Sequence, residues 1–280
     1  MKKIYGIIGH PIGHTLSPAM HNAAFAHLKI NAEYRIFDVE PKGLVEFLST
    51  LAAGGISGIN VTIPHKIEAW RYIEKNGSLD KEAAKLGAVN TINVEGGRLK
   101  GYNTDGAGFY RSLVTDLKLE PEGKTVFVLG AGGAATAIVM YLGVGPGRIF
   151  VMDEDVSKAG ELADRYKKYF NSDKLRVCEK KTSAAVLNES DLFINATPIG
   201  MKDGDPSPVD VKALRPGLYV YDLVYNRSKT ALVKEANAKK LHAVTGMGML
   251  LCQGAIAFEI WTGGKAPIQV MKKALLDNLR

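Results

Sequence analysis

Apolar positions along this chain switch repeatedly between two periods. Short runs rich in β-branched and aromatic residues at 3–8, 33–39, 58–62, 89–94, 98–102, 125–129, 148–152, 175–178, 192–195 and 219–222 predict strands. Apolar residues recurring every three to four positions predict helices at 17–29, 43–52, 106–118, 132–142, 157–170, 229–239, 248–261 and 268–279, with one more from Pro64 to about 75. Ser17 and Pro18 suit a helix cap and a first helical position. The runs at 89–94 and 98–102 are expected to pair across Gly96-Gly97. Alternating strands and helices are the mark of an α/β fold. The polar, turn-rich Glu120-Pro121-Glu122-Gly123 suits a hinge, and seams near 103–123 and 243–247 divide the pattern into two α/β units. The last two helices leave the second unit and are expected to pack on the first.

The sharpest local feature follows the run at 125–129. Gly130-Ala131-Gly132-Gly133-Ala134-Ala135 matches GxGxxA and opens a predicted helix. In that pattern the first glycine makes the tight turn and the second lets backbone approach a pyrophosphate. A small third residue, Ala135, lets helix and strand pack closely, and free N–H groups at the helix start face the phosphates. Asp153 stands at the end of the next predicted strand, where a carboxylate accepts hydrogen bonds from the adenine ribose of NAD. Asp153-Glu154-Asp155 would repel a 2′-phosphate, and the nearest cation is Lys158. The pattern favours NAD and leaves NADP open. Asp155 also suits the acidic start of a helix.

Charge changes the picture little. Thirty-six basic and twenty-nine acidic residues give +7, but the basic residues come as scattered pairs, so the pattern speaks against nucleic acid and fits an anionic small substrate. Cys178 and Cys252 form neither a CxxC pair nor a disulfide framework and are expected as buried thiols. The opening apolar stretch breaks at His10-Pro11, too short for a secretory signal. The stretch at 247–261 contains Gln253 and Glu259 and is shorter than a membrane span. A soluble, cytoplasmic protein is expected. His10, His14, His21 and His27 show no metal-ligand spacing, there is no HExxH, and His65 reads as positional, so no metal is expected.

Four segments of the first unit carry polar residues at or just after predicted strands: Thr15-Leu16-Ser17, Asn60 to Lys66, Asn90-Thr91 and Asn103 to Gly106. In open α/β sheets ligands bind outside the strand carboxyl ends. Lys66 and Asp105 are the pair fit for proton transfer. Oxidising an alcohol with a nicotinamide cofactor moves a hydride and a proton, and the protein must handle the proton. Lys66 is expected as acid in reduction and base in oxidation, with Asp105 orienting it. The residues alone leave open which of the two carries the proton. They also allow plainer roles: Ser17 as a helix cap, Asn103 and Asp105 as turn residues, and Lys66 as a solvated side chain.

These residues together resemble the shikimate/quinate dehydrogenase family along nearly the whole chain. The matching segments are GHPI at 9–12, LSPAMHN at 16–22, NVTIPHK at 60–66, GAVNTI at 87–92 and GYNTDGAGF at 101–109. GAGGAA at 130–135, ATPIGM at 196–201, VYN at 224–226 and MLLCQGAIAFEIWTG at 249–263 complete the set. The resemblance implies an α/β fold of two domains facing a cleft. One is a substrate-binding catalytic domain with a mixed sheet (1–104 plus 246–280), the other a Rossmann-like dinucleotide-binding domain (105–245). It implies reversible interconversion of 3-dehydroshikimate and shikimate, with Lys66 and Asp105 as the catalytic pair. Thr15, Ser17, Thr62, Asn90, Tyr225 and Gln253, with that pair, would hold the substrate. Gly130, Ala131, Gly132, Gly133, Ala134, Asp153, Lys158, Thr197, Val224, Gly246 and Met247 would hold the cofactor.

Two departures from the family pattern stand out. Thr15 replaces a common serine, which reshapes the carboxylate pocket and keeps quinate open as a substrate. Asp153-Glu154-Asp155 replaces a common Asn-Arg-Thr, removing the arginine that would hold a 2′-phosphate. A quinate or dual-substrate enzyme using NAD is the nearest alternative. A non-catalytic dinucleotide-binding regulator is a more distant one, which the Lys66–Asp105 pair opposes. The small-molecule substrate is the only partner implied, and either a monomer or a homodimer is compatible with the sequence.

Overall fold

Continuous burial along the first strand, covered on both faces, sets the architecture of the first unit. On β1 (Lys3–Gly9), Tyr5 and Ile8 are both buried but face opposite sides of the sheet. The computed structural model describes residues 2–13, 15–226 and 229–279. Chain order continues with α1 (Ser17–His27), β2 (Ala32–Asp38), α2 (Leu44–Thr50), β3 (Ile56–Val61), α3 (Lys66–Asn76), β4 (Ser78–Leu79), α4 (Lys81–Leu86), β5 (Thr91–Glu95), β6 (Arg98–Tyr102) and α5 (Asp105–Asp116). The six strands run in the order β2-β1-β3-β5-β6-β4. β1 lies parallel to β2 and β3, while β3–β5 and β5–β6 are antiparallel, so the sheet is mixed. Gly96 and Gly97, both with positive φ, close the β5–β6 hairpin. Ile8 joins Leu44, Leu48, Ile59, Ala69 and Ile73 in a core on one face.

The second unit begins after α5 starts. Its elements are β7 (Thr125–Leu129), α6 (Gly133–Leu142), β8 (Arg148–Met152), α7 (Val156–Phe170), β9 (Leu175–Val177), α8 (Ser183–Glu189), β10 (Leu192–Asn195), β11 (Tyr219–Asp222), α9 (Ala231–Ala238) and β12 (His242–Thr245). All six strands are parallel, in the order β9-β8-β7-β10-β11-β12. This is a doubly wound sheet whose order reverses between β7 and β10. The chain ends with α10 (Met247–Thr262) and α11 (Ile268–Asp277). Residues 1–105 and 251–279 cluster as one unit and 106–250 as the other, so residues 246–250 lie with the second. On the first unit, Trp261 of α10 stacks on Tyr5 at 5.1 Å and donates its indole N–H to Ile92 O at 3.0 Å.

The expected α/β class, one mixed sheet and one parallel sheet, is what the chain adopts. Four short elements were not expected: β4, α4, α8 and β12. Each is seven residues or fewer, too short for an apolar period to register. Ser17 is also not a helix cap. The N-cap is Leu16, without a side-chain cap, and Pro18 lies in the first turn. The Ser17 hydroxyl instead accepts a hydrogen bond from Thr15 Oγ1 at 3.2 Å. Among the described residues no helix is long and apolar enough to cross a membrane.

Candidate active site

Where β3 ends, the chain turns sharply into α3. Thr62 N–H continues the ladder to Ile8 O at 2.9 Å, and His65 N–H returns to Thr62 O at 2.9 Å. His65 is buried with Nε2 against Val39 O at 2.7 Å, which suits its expected positional role. The turn delivers Lys66 as the first residue of α3. Its Nζ donates to Asp105 Oδ2 at 2.6 Å.

Asp105 is held from three sides. It opens α5 and is buried, and its own N–H donates to Asn103 Oδ1 at 3.1 Å. Asn103 is tied in turn to Ala88 O at 3.0 Å. Asn90 Nδ2 donates to Asp105 Oδ1 at 2.8 Å. Each carboxylate oxygen therefore has a donor, one from an amide and one from an ammonium. An ammonium carries three N–H groups, and one of these points at Asp105. A cationic donor fixed in this way by a buried carboxylate can hydrogen-bond and protonate an oxygen placed beside it.

The remaining predicted substrate residues are spread over both units. Thr15 and the buried Ser17 form a small turn in which Ser17 N–H also reaches Thr15 Oγ1 at 3.3 Å. Thr62 is half-buried, and so is Gln253 on α10 in the same unit. Tyr225 is exposed and belongs to the second unit. Tyr225 and Gln253 come from the family resemblance alone, because an aromatic at a strand end and one amide in an apolar helix carry no pattern of their own. His14 lies outside the described residues.

In the second unit the glycine-rich loop joins β7 to α6. Gly130 sits at φ +102°, and a Cβ there would lie 2.9 Å from Ala196 O beyond β10, so only glycine fits this turn. A Cβ on Gly132 or Gly133 would meet nothing within 4 Å. The loop is thus open where it starts the helix, and α6 has no side-chain cap. Free N–H groups beside open space at a switch point suit a phosphate group. Asp153 Oδ2 accepts Ala131 N–H at 2.7 Å, and Oδ1 accepts Asp155 N–H at 2.9 Å, so this carboxylate is locked onto the loop. Asp155 caps α7 through Ser157 N–H at 3.1 Å and pairs with Lys158 at 3.5 Å. Thr197 donates to Asn195 Oδ1 at 2.7 Å, and Gly246 N–H donates to Val224 O at 3.0 Å. Met247 opens α10 half-buried.

Comparison with known proteins now bears on this geometry. Residues 7–92 match the family model described as the shikimate dehydrogenase substrate binding domain, and 246–276 match the shikimate 5′-dehydrogenase C-terminal domain. The chain is 42% identical to the shikimate dehydrogenase (NADP(+)) of Methanopyrus kandleri, over 99% of this chain and 96% of that one. The chain belongs to the shikimate dehydrogenase family. A crystal structure of a shikimate dehydrogenase in complex with NADP+ superposes with a TM-score of 0.92 at 41% identity, covering 100% of this chain and 96% of that one. The Listeria monocytogenes shikimate 5-dehydrogenase, in complex with shikimate and NAD, gives 0.88 at 34% identity, covering 98% and 96%. Members of this family thus appear among the similar structures with either dinucleotide. Among the described residues no group of His, Cys, Asp and Glu is placed to hold a metal.

Proposed function

We propose that the protein interconverts 3-dehydroshikimate and shikimate, with Lys66 and Asp105 handling the proton. The observation that carries this reading is the Lys66–Asp105 contact of 2.6 Å, with Asn90 on the other carboxylate oxygen. The residues of the glycine-rich loop fit a dinucleotide, and bound there it would accept or supply the hydride. The protein's share is then positioning and proton transfer. In reduction, Lys66 Nζ donates to the carbonyl oxygen as it gains negative charge. In oxidation, the same group, entering as the neutral amine, receives the hydroxyl proton. Asp105 keeps the lysine aimed and hydrogen-bonds the substrate. Thr15, Ser17, Thr62, Asn90, Tyr225 and Gln253 are assigned to the substrate's hydroxyls and carboxylate.

The preferred dinucleotide in this reading is NAD. Gly130, Ala131, Gly132, Gly133 and Ala134 face the pyrophosphate, with Thr197, Val224, Gly246 and Met247 further along it. Asp153, fixed by two backbone N–H groups, presents its remaining lone pairs to the ribose. Lys158, the cation nearest that position in sequence, is already paired with Asp155. Charged hydrogen bonds are worth about 1.5–3 kcal/mol each, so loss of one arginine clamp disfavours NADP by roughly 10- to 150-fold before repulsion is added.

Lys66→Ala tests the assignment of the catalytic pair. Turnover of shikimate falls by about 10²–10⁴-fold, as for loss of a general acid–base, while shikimate still binds in calorimetry. A variant that turns over like the wild type removes Lys66 from the mechanism.

A further inference from the structure

Behind the Lys66–Asp105 pair runs a line of buried polar side chains that a plain hydrophobic core does not need. Tyr34 on β2, Asn60 on β3, Thr91 on β5 and Asn90 are all buried. Tyr34 Oη bonds Asn60 Oδ1 at 2.7 Å, and Asn60 Nδ2 reaches Thr91 Oγ1 at 3.0 Å. Thr91 Oγ1 bonds Asn90 Oδ1 at 3.0 Å, and Asn90 Nδ2 reaches Asp105 Oδ1 at 2.8 Å.

Two backbone groups fix the direction of every bond in this line. Asn60 Nδ2 also lies 3.3 Å from Asn90 O, which can only accept. The Asn60 amide is therefore oriented with its oxygen toward Tyr34, and the phenol must donate. Thr104 N–H, which can only donate, meets Asn90 Oδ1 at 2.9 Å. The Asn90 amide is therefore oriented with its nitrogen toward Asp105. Thr91 accepts from Asn60 and so donates to Asn90. All the donors from Tyr34 onward point toward the Asp105 carboxylate, an arrangement in which successive bonds polarise one another.

We propose that Tyr34, Asn60 and Thr91 are positioning residues for the reaction: they lock the Asn90 amide and, through it, hold Asp105 with one oxygen free to aim Lys66. An Asn90 amide turned end for end would set its oxygen against the carboxylate of Asp105. Thr104 N–H, which cannot accept, excludes that orientation, and the Thr91 hydroxyl holds the amide oxygen in place as a second donor. His21 supports the line from the side, its ring stacked on Tyr34 at 4.4 Å and 8°. The inference rests on the dehydrogenase reading for its kinetic consequence, but its geometric content is independent of substrate.

Thr91→Val removes the hydroxyl while keeping the shape, and Thr91→Ser restores it. Shikimate oxidation is measured at saturating dinucleotide, with melting temperature as the control for folding. In Thr91→Val, kcat falls about tenfold or more while KM moves less than about threefold, the pattern for a misplaced reacting group. The solvent deuterium isotope effect on kcat grows as the proton step slows, and Thr91→Ser recovers most of the loss. In the ligand-free protein, exchange of the Thr104 N–H quickens in Thr91→Val. Tyr34→Phe, which keeps the ring on His21, shows the same kinetic split should Thr91→Val fold poorly. A Thr91→Val enzyme with wild-type kcat and wild-type Thr104 exchange overturns the inference, as does a Thr91→Ser enzyme as impaired as Thr91→Val. Wild-type protein that leaves shikimate untouched would overturn the proposed function instead, and Thr104 exchange would still decide the positioning.

Discussion

His21 makes the stability of the first unit depend on pH in a calculable way. The side chain is fully buried on α1 between Tyr34, Phe258 and Trp261, and neither ring nitrogen has a hydrogen-bond partner among the described residues. Burial pushes the imidazole down from 6.5 to about 3. The folded pKa of a base is depressed here, so above pH 6.5 the ring is neutral in both states and its contribution is complete. As pH falls from 6.5 toward 3 the unfolded chain takes up a proton that the folded one refuses, and stability is lost. At 1.36 kcal/mol per unit the loss is about 1.4 kcal/mol at pH 5.5, about 2.7 kcal/mol at pH 4.5 and about 5 kcal/mol in the limit. Against a typical total of about 5–15 kcal/mol this is a large share. His21→Phe keeps an aromatic ring on Tyr34 and removes the titration. Both tryptophans, Trp70 and Trp261, belong to the same unit, so urea unfolding followed by tryptophan fluorescence reports it. Between pH 7.5 and 5.5 the wild type should lose about 1.4 kcal/mol more than the variant. Extra bulk can shift the variant's absolute stability, but it does not alter this slope. Parallel pH profiles for the two proteins would refute the argument that burial keeps His21 neutral.

Other consequences follow from close backbone approach. Gly58→Ala places a methyl group into Nε1 and Cδ1 of Trp261, a ring fixed by Ile92 and Tyr5, and should cost about 1–3 kcal/mol in urea unfolding. Gly130→Ala forces a side chain into a positive-φ turn against Ala196 O. Dinucleotide affinity by fluorescence titration should fall at least about tenfold while the protein stays folded, since strain of this kind costs about 1–3 kcal/mol. Unchanged affinity would show that the loop relaxes without disturbing the phosphate site.

The sequence patterns that read true have a common physical origin. β7, β8, β10 and β11 begin and end where their apolar runs do, because parallel strands covered on both faces need continuous hydrophobic segments. β4 and β12 fail that test, being two and four residues at sheet edges. Lys66, Asn90 and Asp105 could be noticed because charged and amide groups at strand ends are costly without a reason. Tyr34 could not, since tyrosine is an ordinary strand residue and its partner Asn60 lies 26 positions away. His21 gives no signal either: on a short helix rich in alanine a histidine looks the same in sequence whether it is solvated or sealed under aromatic rings. Asp222 was also silent. It is buried at the end of β11, burial pushes its carboxyl up, and Thr230, Asn195 and the Val224 N–H satisfy it. Its role is to tie strand ends together.

The central claim is that a shikimate dehydrogenase site operates here with a dinucleotide chosen by Asp153. Initial rates of shikimate oxidation with NAD and with NADP at matched concentrations, followed by nicotinamide absorbance, test it most directly. The account predicts turnover with both and a kcat/KM at least about tenfold higher for NAD, from the missing cationic clamp. A higher kcat/KM for NADP would contradict the role given to Asp153, and no turnover with either would contradict the proposed reaction itself.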